Sequence, residues 1–278
     1  MSKVDYEIRK LQKRVTNGGM DRREFIKAAT AMGFAATAPA LFSHAAHATP
    51  KKGGVYRMGL GGANTGDMLD PGENGDTFMI NMNMGGCRNG LVEVNADGQA
   101  KPELAESLEP SADAKTWVVK LRKGIEFHSG KTFEADDAIA SIEHHRGEEA
   151  TSDAKSVAES LGSIRKDGPN TLIFELESGN ADFPYLLSDY HILMGSTDKH
   201  GHIDWETGDG TGSYVVKNFE PGVRAHMVRN PNYFKEGCAN FDEVKITAVG
   251  DAAARMNGIV TGQFDSIVRC DLKTAPML

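Results

Sequence analysis

KPELAESLEPSADAKTWVVKLRKGIEFHSGKTFEADDAIASIEHH, residues 101–145, packs several ordered signals into one run. Trp117, Val119 and Leu121 alternate with Val118, Lys120 and Arg122, the period-two pattern of a half-buried strand. A polar turn at residues 111–115 precedes that strand, and residues 102–108 are expected to open a short helix. Lys123-Gly124 turns the chain, Ile125 and Phe127 resume the alternation, and Ser129-Gly130 break it. Glu134, Asp136 and Asp137 then crowd the start of an apolar run at Ala138, Ile139 and Ile142, where acids complement a helix N-terminus. His144, His145 and Arg146 suit the opposite dipole end, and Gly147 ends the helix.

Downstream, residues 147–154 read as an acidic loop, 156–164 as a short helix and Asp167-Gly168-Pro169-Asn170 as a turn leading into a strand at 171–176. Residues 214–218 and 225–229 form a hairpin joined through Glu220-Pro221-Gly222. Val244, Ile246 and Ala248 mark a further strand. Asp251 caps a helix with Met256, Ile259 and Val260 on its apolar side, Gly262 ends it, and residues 265–268 form the next strand, making a β-α-β unit. Upstream, Val55, Met58 and Leu60 belong to a first strand that enters the loop Gly61-Gly62-Ala63-Asn64-Thr65-Gly66. Met79, Met82 and Met84 cluster beyond it, suited to core packing or to a soft ligand surface. Asn81, Asn83 and Asn89 interleave with them as the exposed face of a helix.

The stretch ELAESLEPSADAKTWVVKLRKGIEFHSGKTFEADD resembles the signature region of family 5 extracellular solute-binding proteins. Three further segments resemble the same family in the same order: Leu69-Asp70-Pro71, Gly210-Thr211-Gly212-Ser213-Tyr214 and Arg229-Asn230-Pro231-Asn232-Tyr233-Phe234. The chain departs from the family pattern at Ser213, usually proline, and at Phe234, often tryptophan. The resemblance implies an α/β, periplasmic binding protein-like fold of class II, with lobe I and an accessory subdomain present and lobe II absent. It divides the chain into a signal peptide at 1–48, lobe I at 49–76 and 187–268, an accessory subdomain at 77–186, and the start of a hinge at 269–278. It also implies a receptor for an ABC importer that binds a peptide or similar solute and presents it to membrane permease subunits, with no cofactor. Asn64, Thr65 and Gly66 become candidate ligand contacts, or else a surface turn, because α/β folds bind ligands beyond strand carboxyl ends. Thr77 and Phe78 are further candidates.

Asp21-Arg22-Arg23-Glu24-Phe25-Ile26-Lys27 resembles the twin-arginine export motif, carried by Arg22, Arg23, Phe25 and Lys27. A mildly apolar run follows and ends at Ala46-His47-Ala48, a small-x-small pattern that a signal peptidase accepts. The run is too short and too interrupted, by Gly33 and Pro39, to be the roughly 20 apolar residues of a spanning helix. The expectation is translocation by the twin-arginine machinery, cleavage after Ala48 and residence in the periplasm.

Residues 1–48 hold eight Lys/Arg and four Asp/Glu, so the remainder carries 23 basic and 35 acidic residues, a net charge near −12. Such a surface repels nucleic acid and anionic lipid, and nucleic acid is excluded as a partner. Cys87, Cys238 and Cys270 allow at most one internal disulfide and show no metal spacing. A metal-dependent hydrolase using His128, His144, His145, Asp136 or Asp137 is a poor alternative: adjacent histidines on a helix diverge, and neither H-E-x-x-H nor G-x-S-x-G occurs. The remaining alternative is a truncated or remnant lobe without transport activity.

Overall fold

A computed structural model describes residues 50–73 and 75–270. The export motif (Arg22, Arg23, Phe25, Lys27), the cleavage residues Ala46 and Ala48, and most of the expected hinge segment 269–278 lie outside the described residues.

Strand β1 (Val55–Leu60) is followed by a 3-10 turn (Pro71–Glu73) and helix α1 (Thr77–Asn83). Then come β2 (Val92–Val94), β3 (Ala100–Pro102), β4 (Ala105–Pro110), β5 (Thr116–Leu121), α2 (Ala135–Glu143), α3 (Lys155–Ser160), β6 (Ser163–Lys166), β7 (Thr171–Glu175) and α4 (Phe183–Leu186). A second 3-10 turn (Trp205–Thr207), β8 (Tyr214–Glu220), β9 (Arg224–Arg229), β10 (Glu243–Ala248), α5 (Ala252–Val260) and β11 (Ser266–Ile267) complete the order.

Two sheets carry two cores. The first has the order β11-β1-β10-β9-β8, with β1 parallel to both β10 and β11 and antiparallel pairing from β10 through β9 to β8. Register places Tyr56, Met58 and Leu60 beside Val244, Ile246 and Ala248, so one apolar stripe runs across the strands. Leu60, Met227, Val244 and Ile246 pack there with Phe78, Met79 and Met82 of α1. The β-α-β unit formed by β10, α5 and β11 crosses over β1, which lies between its two strands. Asp251 Oδ1 caps α5 by accepting from Ala254 N at 2.7 Å.

The second sheet, β4-β5-β7-β6, is antiparallel throughout. Trp117, Val119 and Leu121 are buried from β5 as their alternation requires, and each such side chain is worth about 1.5–3 kcal/mol relative to exposure. Phe183 joins Trp117 and Phe174 at ring separations of 5.3 and 5.0 Å. The acids expected at the start of α2 act there: Asp137 Oδ2 accepts from Glu134 N at 3.0 Å.

Several expectations change. Residues 102–108 run from the end of β3 through a bend into β4 rather than forming a helix, because Ala105 and Leu108 pair with Leu121 and Val119 and bury against the second core, overriding local preference. Ile125 and Phe127 are buried, yet their segment makes only a single bridge, Glu126 to Thr132. The helix expected at 156–164 is α3, and Ile164 lies in β6. Val260 is 63% exposed instead of lying on the apolar side of α5. Asn83 and Asn89 are buried and hydrogen-bonded instead of forming an exposed face. Helix α1 packs in the first core, and Leu187, Ile192 and Met194 pack in the second.

Candidate functional site

Because β1 and β10 are parallel, their carboxyl ends reach the same edge of the first sheet, where Val249 N donates to Leu60 O at 2.7 Å. The β8–β9 turn arrives at that edge too, through Ala248 N to Val223 O at 2.8 Å. A Cβ on Gly222, whose φ is +73°, would sit 2.9 Å from Thr65 N, so the turn needs glycine to press against the Asn64-Thr65 backbone. The loop is braced from inside by Asp67, whose Oδ2 accepts from Asn64 N at 2.9 Å. Burial raises the Asp67 carboxyl above its ordinary value, and the neighbouring Asp76 adds to the effect. Asp76 in turn caps α1, accepting from Met79 N at 3.0 Å.

Arg255, buried on α5, closes the other side of the edge. Its Nη1 donates to Val249 O and Gly250 O at 2.7 and 3.0 Å, and its Nε to Val268 O at 3.1 Å. It therefore fastens the segments that leave β10 and β11. Sequence reading missed it, since one arginine inside an amphipathic helix reads as a solvated residue; its only signal was its place one turn after the Asp251 cap.

Asn64, Thr65 and Gly66 are exposed at this edge and Thr77 is half-buried at the start of α1. Phe78 is not with them: at 0% exposure it faces the core, so its ring is taken up by packing.

The landmark segments hold the two cores together behind the edge. Gly212 N donates to Cys87 O at 3.0 Å and Tyr214 N to Gly86 O at 3.0 Å, an approach so close that a Cβ on Gly210 or Gly212 would run into the Cys87 or Gly86 carbonyl. Thr211 Oγ1 donates to Asn89 Oδ1 at 3.0 Å, and Asn230 Nδ2 donates to Gly212 O at 3.0 Å. Ser213 replaces the expected proline with a hydroxyl donating to Gly85 O at 2.5 Å. Arg88, fully buried, donates to Leu69 O at 2.8 Å, Trp205 O at 3.0 Å and Asn83 Oδ1 at 2.5 Å.

Three of the five hydrolase candidates, His128, Asp136 and Asp137, are held in separate contacts. His128 Nε2 lies 3.0 Å from Gly212 O, and burial lowers its pKa. Asp136 pairs with Lys166 at 2.7 Å, and Asp137 pairs with Lys131 while accepting from Thr197 N at 2.9 Å. Among the described residues no group of three or more His, Cys, Asp or Glu is placed to hold a metal ion. Cys87 is buried, with its pKa pushed up by desolvation, and Cys238 is an exposed free thiol.

Among solved structures, the binding protein AgaA of A. tumefaciens R10 in complex with agropinic acid superposes with a TM-score of 0.72 at 24% identity, covering 81% of this chain and 45% of that one. The fold is that of a periplasmic binding protein. The profile of bacterial extracellular solute-binding proteins, family 5 Middle, matches residues 99–278, and the chain belongs to that family. Oligopeptide-binding protein AppA of Bacillus subtilis is 27% identical over 202 residues, 66% of this chain and 36% of its own length. Heme-binding protein A of Haemophilus influenzae is 28% identical over 207 residues, 65% of this chain and 38% of its own. The chain thus spans a little over a third of the length of these relatives. Among the described residues no helix is long and apolar enough to cross a membrane.

Proposed function

We propose that this chain supplies a ligand-binding lobe of a periplasmic receptor for an ABC importer, which binds a peptide or similar small solute and delivers it to the permease subunits. The observation that carries this reading is the shared carboxyl edge of β1 and β10, where the exposed Asn64-Thr65-Gly66 loop is braced from below by Asp67 and Gly222. Thr77, at the rim of the same edge, is the remaining contact. Such a site works by binding and closure against a second lobe, not by covalent chemistry. Titrating the purified protein with a panel of di-, tri- and oligopeptides while following its melting temperature tests the reading: a solute that binds only the folded state raises the midpoint with its concentration. A midpoint that stays fixed across the panel counts against peptide delivery.

Export by the twin-arginine route belongs to the same proposal and is supported by the spacing of Arg22, Arg23, Phe25 and Lys27. Replacing both arginines by lysine is expected to leave the protein in the cytoplasmic fraction of its host; unchanged periplasmic accumulation would remove that part of the proposal.

A further inference from the structure

Three histidines and two aspartates meet where the segment before α1 touches the end of α2. His144 Nε2 lies 2.7 Å from Asp70 Oδ2, and its ring sits 4.8 Å from that of Trp205. His145, with no exposed surface, places Nδ1 2.7 Å from Ser152 Oγ and meets the His144 ring edge-on at 5.2 Å. His191, 6% exposed, places Nδ1 2.7 Å from Asp189 Oδ1. Nε2 of His145 and Nε2 of His191 are both buried without a hydrogen-bond partner.

The ionisable groups facing His145 are His144 on its own element, Asp70 from the segment before α1, and Asp189 and His191 from the segment after α4. Arg146 turns away toward Ala158 O and Glu143. Nδ1 of His145 is engaged with Ser152 and Nε2 has no partner in place, so a doubly protonated ring would carry a buried, unpaired N–H beside two other histidines. The packing favours the neutral ring of His145.

The same place joins the two cores. Asp70 Oδ1 accepts from Gly72 N at 2.8 Å, Gly72 O accepts from Asp153 N at 3.1 Å, and Thr151 Oγ1 donates to Glu73 Oε1 at 3.1 Å. Asp76 and Thr77 lie a few residues further along the sequence, where a Cβ on Gly62 would lie 2.9 Å from Asp76 Cβ. We propose that this cluster is an acid-sensitive latch: protonation of His145 releases loop 147–154 from residues 70–73 and loosens the start of α1 at the carboxyl edge. Any consequence for a bound solute rests on the function proposed above; the release itself does not.

Hydrogen exchange of the purified, solute-free protein, corrected for intrinsic rates, reads the release directly. Between about pH 7 and about pH 4.5, segments 69–80 and 144–155 are expected to lose protection together by about tenfold or more, while β5 and β7 keep theirs. In His145→Asn, whose amide can still meet Ser152, the acid-induced loss is expected to disappear. Retained protection in the unaltered protein, or loss at the same pH in the variant, overturns the proposal. If the variant does not fold, the His145 ring proton resonance in the unaltered protein decides: titration coupled to loss of protection supports the latch, and titration at an ordinary midpoint with the junction intact overturns it.

Discussion

The second core is closed, and the first is open along one side. Around β5 and β7 the aromatic and aliphatic side chains Trp117, Phe133, Phe174 and Phe183 are at most 5% exposed, on a sheet with no parallel pair. On the first sheet, Tyr56 and Met58 are only partly covered, and they line a cavity of about 310 Å³ with Met84 and Phe241, which are 49% and 37% exposed. The open core carries the parallel strands, and hence the edge at which several loops converge. Dense packing and an open edge are thus divided between two regions of one chain.

The largest effect that this contrast predicts is in the closed core. Phe174→Ala removes a ring with no exposed surface that packs on Phe183 and is expected to cost about 3–5 kcal/mol in denaturant unfolding. Met58→Ala, at a half-covered position of the first sheet, should cost less than about 2 kcal/mol, because less surface is lost from burial and neighbours can relax. Equal costs would break the distinction between the two regions.

Acid probes the junction between them. Burial first, and His144 next, hold His145 at about 4, well below its ordinary 6.5. A histidine that the fold keeps neutral stabilises the native state fully above 6.5, and that contribution is lost as pH falls from 6.5 toward 4. The loss should approach about 3 kcal/mol at the lower end, measured by denaturant midpoints across that window. Asp70 and Asp189, both lowered with their histidine partners as the favourable influence, lose their contribution only as pH falls below the ordinary carboxylate range. A flat profile between 6.5 and 4 would show that the junction tolerates a charged His145.

Gly212→Ala tests the clamp between loop 85–89 and the segment leading into β8. The added methyl meets backbone, which cannot swing aside as a side chain would, and the expected cost is about 1–3 kcal/mol by thermal or denaturant unfolding. A neutral substitution would mean that the close approach is not required.

The second sheet was legible where one face alternates, at Trp117, Val119 and Leu121, and where acids mark a helix start at Glu134 and Asp137. It was illegible at Ala105 and Leu108, whose strand conformation is decided by partners at Leu121 and Val119 rather than by neighbours in sequence. The loop at Asn64 could be placed because it follows an apolar strand and is rich in glycine. Phe78 was misjudged because a helix start beside a loop says nothing about which way its second residue faces, and its burial follows from the position of β10. Arg88 and Arg255 escaped notice for a related reason: a buried guanidinium that bonds backbone carbonyls has no charged partner in the sequence to announce it.

The smallest effect on stability should accompany the largest effect on binding. Asn64 and Thr65 are exposed, and the bonds that brace the loop run from the Asn64 backbone to Asp67, not from either side chain. Replacing both by alanine should therefore change unfolding free energy by no more than about 0.5 kcal/mol, as surface substitutions away from caps and cores do. If the edge holds solute, the same pair should lower affinity for a peptide that stabilises the parent protein by about tenfold or more, since polar side chains beside a ligand that lose their partner leave its groups desolvated and unpaired. Calorimetric titration of parent and double variant with that peptide measures the difference, and the melting curve of the free proteins supplies the control. Unchanged affinity with unchanged stability would move the contacts away from this loop while leaving the parallel edge intact; reduced affinity with reduced stability would mean that the loop is scaffold as well, and the division between a closed supporting core and an open binding edge would lose its sharpest example.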